Sequence, residues 1–181
     1  MEKDPQAARE RLLDIQKLIS AEQKNLRSHI RQLKPPYPAL PESDEDLGDR
    51  LKELAEWIER QWGPRVELDV NLHRHRLPWA VAQGVYFIVH EALVNAARHA
   101  KASSVRAAIR SEDRRLHIVV ADNGRGFPFH GRRDHAALAG MILGPVTLRE
   151  RVASLGGELA IESGETGARL EIVLPHGEKE D

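Results

Sequence analysis

Three polar residues recur at four-residue steps in an otherwise apolar, alanine-rich stretch of the chain. Glu91, Asn95 and His99 fall between Pro78 and about Ala100, where the pattern predicts a largely buried helix. Side chains four residues apart lie on one face of a helix, so these three groups are expected to line up. Each one alone could be satisfied by a backbone group or by water at a helix edge. The Asn95 side-chain oxygen could also complete the shell of a magnesium ion that otherwise holds phosphates and water.

A second polar group of residues directly follows a predicted strand. The sequence Asp122-Asn-Gly-Arg-Gly-Phe127 suits a turn, because Asn-Gly adopts positive φ readily, and a plain surface turn would explain it alone. Glycines also let backbone amides approach phosphate oxygens closely, and ligands commonly sit at strand ends in α/β domains. Gly144-Pro145 places a further glycine before a predicted helix, whose first turn exposes unpaired donors. Together these groups predict a phosphate-binding site.

The composition excludes or disfavours several classes of protein. The 181 residues suffice for one full domain with an attached element. Its 27 basic and 28 acidic side chains give a formal net charge of -1, which argues against disorder and against nucleic-acid binding driven by bulk charge. The absence of cysteine excludes disulfides, thiolate zinc sites and cysteine nucleophiles. No apolar run approaches the roughly 20 residues that span a bilayer, and the first residues lack the apolar core of a signal peptide. We therefore expect a soluble, cytoplasmic chain without nucleic-acid or membrane contacts, although an upstream region of an intact protein could still anchor it.

Residues 1–34 are predicted to form a long helix, because no glycine or proline interrupts the pattern from Pro5 to Leu33. Apolar residues recur there at steps of three and four, as in a coiled coil, namely Leu12, Ile15, Ile19, Leu26 and Leu33. Neighbouring apolar residues widen this seam, so the helix needs a partner within a bundle or across a dimer. The proline-rich residues 35–45 disfavour helix and predict a linker. Residues 46–181 then form a second domain.

The pattern in residues 46–181 predicts strands that first alternate with helices and are later linked by hairpins. Predicted helices cover residues 47–58, 79–100 and 145–155, and predicted strands cover residues 66–70, 105–109, 116–121, 159–162 and 169–174. Residues 122–144 are glycine-rich and poorly periodic, and loops of that length are usually functional or disordered. Hairpin-linked strands favour a mixed sheet with helices on one face. The expected fold class is α/β, a two-layer α/β sandwich preceded by the long N-terminal helix.

Three segments of the chain resemble the sequence boxes of one known family. Residues His90–Ala100 are similar to its N box, Asp122–Phe127 to its first glycine box, and Gly144–Gly157 to its second. The chain thus resembles the ATPase domain (HATPase_c) of sensor histidine kinases, in the GHKL superfamily that includes DNA gyrase and the Hsp90 chaperones. Leu-Arg-Glu-Arg followed by Leu-Gly-Gly is most similar to the nitrate-sensor-like group. The resemblance covers roughly residues 47–175 and implies a Bergerat-type ATPase fold, while residues 30–35 resemble the end of the second dimerisation helix.

The resemblance also implies roles for individual residues. Asn95 would coordinate Mg2+, Asp122 would accept a hydrogen bond from the adenine amino group, and Glu91 would be the general base or polariser for an attacking histidine nitrogen. Gly124 and Gly126 would shape the nucleotide pocket. The residues implied near the phosphates are Arg98, His99, Gly144 and Thr147.

The implied reaction moves the γ-phosphoryl group of ATP to a histidine and then to an aspartate in the receiver domain of a response regulator. Residues 127–143 would form a mobile lid over ATP, and the intact protein would be a homodimer. His29 falls late on the N-terminal helix and is expected to be a seam or surface residue, so the acceptor histidine is expected outside this chain. Two alternatives stay open: an ATP-gated GHKL interaction module without kinase activity, and a GHKL ATPase in which Glu91 activates water.

Overall fold

A computed structural model of the protein describes residues 47–72, 77–112, 114–139 and 145–175. The chain divides into two units, Met1–Tyr37 and Pro38–Asp181, and every described residue belongs to the second. The predicted helix of residues 1–34 and the predicted linker of residues 35–45 lie outside the described residues. The proposed division of the chain into helix, linker and ATP-binding domain therefore stays a prediction.

Helices and strands alternate at first in the described residues, and successive strands occur later in the chain, as the sequence pattern predicts. The helices are α1 (Leu47–Trp62), α2 (Trp79–Val94), α3 (His135–Ala139) and α4 (Val146–Ser154), and α2 continues into a π-helical segment (Asn95–His99). The strands are β1 (Arg65–Asn71), β2 (Ser104–Glu112), β3 (Arg115–Asp122), β4 (Gly131–Arg133), β5 (Glu158–Gly164) and β6 (Gly167–Pro175). All the helices and strands predicted within residues 46–181 are present.

The strands form one mixed sheet in the order β1-β2-β3-β6-β5-β4. β1 runs parallel to β2, whereas the other neighbouring pairs of described strands are antiparallel. A parallel pair needs a crossover connection, which α2 supplies here. Asp122, the last residue of β3, pairs with Val105 on one side and with Ala168 on the other. The end of β3 is therefore held between two neighbouring strands.

One face of the sheet carries the core, and helices cover it. Alternate residues of the central strands are buried, as the period of a strand requires: Val105, Ala107, Ile109, Leu116, Ile118, Val120, Leu170, Ile172 and Leu174. α1 adds residues spaced along one helical face, namely Leu47, Leu51, Leu54 and Ile58. The opposite face of the sheet pairs charges between strands, as between Arg106 and Glu67 at 2.8 Å. This arrangement confirms the predicted two-layer α/β sandwich.

Residues 122–144, in which the sequence predicts no regular element, contain β4 and α3. β4 extends the sheet by pairing with β5, and Arg132 forms an ion pair with Glu171 on β6 at 2.7 Å. Phe129 and Leu138 are buried in the core. A strand of three residues and a helix of five are too short to produce a visible period, which explains why the pattern missed them. Phe129 and Leu138 thus hold this segment against the domain at two points, and the mobile lid expected over residues 127–143 stays a prediction.

Candidate functional site

The site begins where α2 changes its winding. Most of α2 is buried, as its apolar composition predicts, and its last turn passes into the π-helical segment Asn95–His99. The N–H of Ala100 donates to the carbonyl of Asn95 at 3.0 Å, which is the five-residue step of a π helix. Such segments often occur at functional sites. Asn95 and His99 both face a cavity beside this segment.

The glycine-rich turn after β3 closes tightly onto the end of the π-helical segment. The N–H of Arg125 donates to the carbonyl of Ala100 at 3.0 Å. A side chain on Gly124 would place its first carbon 2.5 Å from that same carbonyl oxygen, so only glycine fits there. Gly126 has a φ of 68°, in the left-handed region that favours glycine, and its backbone approaches Gly164. The glycines let the turn lie against two other elements.

Two polar side chains in and near this turn hold its shape. The side-chain oxygen of Asn123 accepts hydrogen bonds from the N–H groups of Ser103 and Ser104, at 3.0 and 2.9 Å. The buried hydroxyl of Ser163 on β5 accepts the N–H of Phe127 at 2.7 Å. The turn is thus connected to β2 on one side and to β5 on the other, which is more than a plain surface turn requires.

The carboxylate of Asp122 lies half-buried at the end of β3. It accepts hydrogen bonds from the N–H of Gly124, at 2.8 Å, and from the N–H of Ala168. Burial raises the pKa of the Asp122 carboxyl, while the two backbone donors act in the opposite direction. A carboxylate has about four lone-pair positions, so two bonded amides leave room for a further donor. The group can therefore recognise an amino group in the cavity.

A cavity of about 640 Å³ joins the turn to the π-helical segment. It contains four of the predicted site residues, namely Asn95, His99, Asp122 and Gly126. The rest of its lining is mostly apolar: Ala92, Ala96, Ala100, Arg125, Phe127, Pro128, Pro145, Ala168 and Leu170. This volume lies within the range of about 300–1,000 Å³ typical of small-molecule sites, and apolar walls with a few polar groups are typical of them. The apolar walls suit a flat base, and the polar lining residues suit a charged or hydrogen-bonding group.

The other predicted site residues that the structure describes do not line the cavity. Gly124 supports the turn from behind, through its contact with Ala100. Arg98 and Thr147 are exposed, on the π-helical segment and in the first turn of α4. Glu91 lies half-buried one turn before Asn95 and contacts α4. Gly144 lies outside the described residues.

The carboxylate of Glu91 contacts α4, and these contacts affect its pKa. The N–H of Leu148 in α4 donates a hydrogen bond to its carboxylate. Burial raises the pKa of the Glu91 carboxyl, and the nearby positive charge of Arg151 opposes that rise. The carboxylate therefore touches the helix whose first turn begins just after the cavity-lining residue Pro145.

Several residues at or near the site escaped the sequence reasoning. Arg125 lines the cavity and lies within the segment Asp122–Phe127, but nothing in the sequence indicated a role for it. Ser163 and Arg151 are distant in sequence from the residues they contact, and no periodicity marks them. Only the three-dimensional arrangement could have shown these two.

The side chains at the cavity determine whether a divalent cation such as Mg2+ could bind there. Among the described residues no three His, Asp or Glu side chains form a cluster able to hold a metal ion. Mg2+ commonly uses one or two protein ligands together with substrate phosphates and water. The single amide oxygen of Asn95, facing the cavity, fits that kind of site and no other kind.

Comparison with known proteins adds independent findings. The sequence model of the family described as histidine kinase-, DNA gyrase B- and HSP90-like ATPase matches residues 80–178. The sensor histidine kinase YdfH of Bacillus subtilis (strain 168) is 33% identical over 141 residues, covering 75% of this chain and 33% of that protein. The nitrate/nitrite sensor protein NarX of Escherichia coli (strain K12) is 28% identical over 170 residues, covering 94% of this chain and 26% of that protein. The chain thus spans about a third or less of these relatives.

Solved structures show the same fold. The histidine kinase domain of the Erythrobacter litoralis EL346 blue-light activated histidine kinase matches with a TM-score of 0.55 and 28% identity, over 77% of this chain and 66% of that one. The ATP binding domain of PrrB from Mycobacterium tuberculosis matches with a TM-score of 0.53 and 25% identity, over 77% of this chain and 98% of that one.

Within the part of the chain that the structure describes, no helix is both long and apolar enough to cross a membrane.

Proposed function

The chain belongs to the family of histidine kinase-, DNA gyrase B- and HSP90-like ATPases, and from that premise we propose that it is the ATP-binding catalytic domain of a two-component sensor histidine kinase. The observation that carries the proposal is the cavity at the junction of the π-helical segment and the turn after β3. Its polar residues come from the two sequence boxes that resemble those of sensor kinases. Relatives named as a sensor histidine kinase and as a nitrate/nitrite sensor protein support the same function.

The adenine base is proposed to bind at the Asp122 end of the cavity. The carboxylate would accept the adenine amino group with a lone pair left over from its two backbone donors. Ala96 and Leu170 would contact the faces of the base and exclude water from that hydrogen bond. Gly126 keeps the wall of the pocket thin, because a side chain there would meet Gly164.

The phosphates are proposed to lie at the opposite end, near Asn95 and His99. The Asn95 oxygen would hold Mg2+, which neutralises phosphate charge when bound. Arg98 and Thr147, which are both exposed, are proposed to bind phosphate oxygens at this end, and Gly144, which precedes α4 in the sequence, is proposed to lie near the phosphates. First-turn amides of a helix favour anions, which is why α4 is included in the phosphate side.

Glu91 is proposed as the general base or polariser for the attacking histidine nitrogen. Burial raises the pKa of its carboxyl, which brings its basicity closer to neutral pH. The acceptor histidine would lie outside this chain, and the phosphoryl group would pass from it to the receiver domain of a response regulator. A homodimeric intact protein with this domain in the cytoplasm belongs to the same proposal.

One observation favours a second function, a nucleotide-gated interaction module without kinase activity. Glu91 does not line the cavity, and its carboxylate is already bonded to Leu148. In that case ATP would change the arrangement of α4 and thereby control a partner. Hydrolysis of ATP by a Glu91-activated water is the remaining alternative.

Phosphohistidine formation in a longer protein that includes the upstream acceptor helix separates these functions. With radiolabelled ATP, the parent protein is expected to label a histidine, and Glu91→Gln is expected to remove labelling while ATP affinity stays within about twofold. Asp69→Asn, an exposed change on the far face of the sheet, serves as the control. ATP binding without any labelling of the parent would leave the interaction module as the function, and release of free phosphate alone would indicate an ATPase.

A further inference from the structure

Helix α4 lies against the face of α2 that carries Phe87 and Glu91. These two residues are one turn apart on α2 and therefore on the same side of the helix. From α4, Leu148 is fully buried, and the guanidinium carbon of Arg151 lies 4.7 Å from the centre of the Phe87 ring. That distance is within the range of a cation–π contact. The two helices therefore meet through polar and charged groups as well as through the core.

The first turn of α4 has no cap of its own. The residue before it is Pro145, which offers no side-chain hydrogen bond to the helix. Helices leave their first backbone N–H groups unpaired unless a side chain accepts them. Here the carboxylate of Glu91, from α2, accepts the N–H of Leu148. A side chain of one helix thus caps the start of the other.

Arg151 completes this contact from the next turn of α4. It follows Leu148 by three residues, so both lie on the side of α4 that faces α2. Its positive charge acts on Glu91 and opposes the effect of burial on that carboxylate. Its Nε atom is fully buried, unlike the tip of a solvated surface arginine. The guanidinium thus lies over the Phe87 ring and close enough to Glu91 for its charge to act on that carboxylate.

We propose that Arg151 is a positioning residue which, together with Glu91, fixes the first turn of α4 against α2 and so presents that turn to the nucleotide phosphates. The second half of this inference rests on the proposed function, because it assumes that phosphates lie at the α4 end. Pro145 both precedes α4 and lines the cavity, so a movement of the first turn changes that end directly. The Asp122 end is held by backbone hydrogen bonds from Gly124 and Ala168 and does not depend on α4.

The first test needs no nucleotide. In proton–nitrogen NMR spectra of the whole chain, the Leu148 amide should show the low-field proton shift of a bond to a charged acceptor. Arg151→Met and Glu91→Ala should each move this signal to higher field, and Arg151→Lys should largely restore it. Arg115→Met, an exposed arginine at the start of β3, is the matched control and should leave the signal in place. A Leu148 signal that is the same in the parent and in Arg151→Met would overturn the proposal.

The second test compares two ligands in the same variants by calorimetry. Arg151→Met should weaken Mg-ATP binding by roughly 5- to 10-fold, the size of one lost charged contact, and leave adenosine affinity within about twofold. Arg151→Lys should recover most of the Mg-ATP affinity. An equal loss for both ligands would show general damage to the domain and contradict a positioning role. If the parent chain binds neither ligand, the proposed function fails, while the Leu148 signal still decides whether Arg151 and Glu91 fix α4.

Discussion

The two ends of the cavity are held in place by different kinds of contact. At the Asp122 end, one backbone amide of the neighbouring strand β6 and one of the glycine turn bind the carboxylate, and the turn itself is bonded to the end of the π-helical segment. At the α4 end, side chains of Glu91 and Arg151 connect two helices. Backbone contacts within a sheet resist displacement, whereas a helix held by a few side chains can shift as a unit. The difference indicates a rigid end, where we propose that the base binds, and an adjustable end, where we propose that the phosphates bind.

The largest expected effect is a loss of adenosine affinity when the Asp122 carboxylate at the rigid end is replaced. Asp122→Asn replaces one carboxylate oxygen by an amide that donates, and so opposes the N–H groups of Gly124 and Ala168. Adenosine binding should weaken by about 100-fold, roughly 2–3 kcal/mol, as measured by calorimetry.

Asp69→Asn makes the same chemical change at a half-exposed residue on the open face of the sheet. It should leave adenosine affinity unchanged. If both variants bind adenosine like the parent, the base does not use Asp122, and the assignment of the two ends is wrong.

A second change tests how closely the rigid end is packed. Gly126→Ala forces a residue with a side chain into the left-handed region, at a φ of 68°, and against Gly164. The free energy of unfolding should fall by about 2 kcal/mol in urea titrations.

Gly48→Ala is the matched control, because a side chain on this glycine in α1 would meet nothing within 4 Å. It should raise stability by about 0.5–1 kcal/mol. A Gly126→Ala protein as stable as the parent would show that the turn is looser than the comparison requires.

The adjustable end is tested through Asn95. Removing its side-chain oxygen with Asn95→Ala should abolish most of the gain in ATP affinity that magnesium provides, about tenfold, and leave adenosine affinity unchanged. Calorimetric titrations with magnesium and with a chelator measure this gain. An equal magnesium gain in the parent and the variant would rule out a metal role for Asn95.

Part of the fold and part of the candidate site can be predicted from the sequence alone. The apolar periods of α1, β2 and β3 predicted their positions, because each is long enough for its period to be read. Asn95 and Asp122 could be placed in one site because they fall in recognisable boxes at the ends of a predicted helix and a predicted strand. The short elements β4 and α3 carry too few residues for such a signal.

Contacts between distant parts of the chain could not be predicted in the same way. Ser163 binds the turn across 36 positions of sequence, and Arg151 reaches Phe87 from another helix. Nothing local distinguishes this serine or this arginine from exposed ones. The position of Glu91 beside the cavity, with its carboxylate turned to α4, also depends on how the two helices pack.

The smallest expected effect is the change of adenosine affinity with pH, which depends on protonation of Asp122 at the rigid end. Burial raises the pKa of the Asp122 carboxyl, so protonation begins at a higher pH than for an exposed carboxyl with a pKa of about 3.9. The protonated form loses part of its capacity to accept the base amino group. Adenosine affinity should therefore fall as the pH is lowered from about 7 toward the pKa of an exposed carboxyl, and the fall should begin above that pKa.

Adenosine is the suitable ligand for this titration, because a terminal phosphate itself titrates near pH 6. In Asp122→Asn the remaining affinity should not vary over this range. A parent protein whose adenosine affinity is constant down to about pH 4, where even an exposed carboxyl is close to half protonated, would show that the ionised carboxylate is not the acceptor.

The measurement that tests the central claim most directly is a titration of the isotope-labelled chain with Mg-ATP, followed by proton–nitrogen NMR. Saturable shifts are predicted for backbone amides at the cavity or directly beside it, namely Asn95, Ala100, Gly124, Gly126 and Ala168. Backbone amides of residues whose side chains lie on the open face of the sheet away from the cavity, such as Asp69 and Arg110, should not move. Absence of saturable shifts, or shifts confined to that open face, would contradict the assignment of the cavity as the nucleotide site.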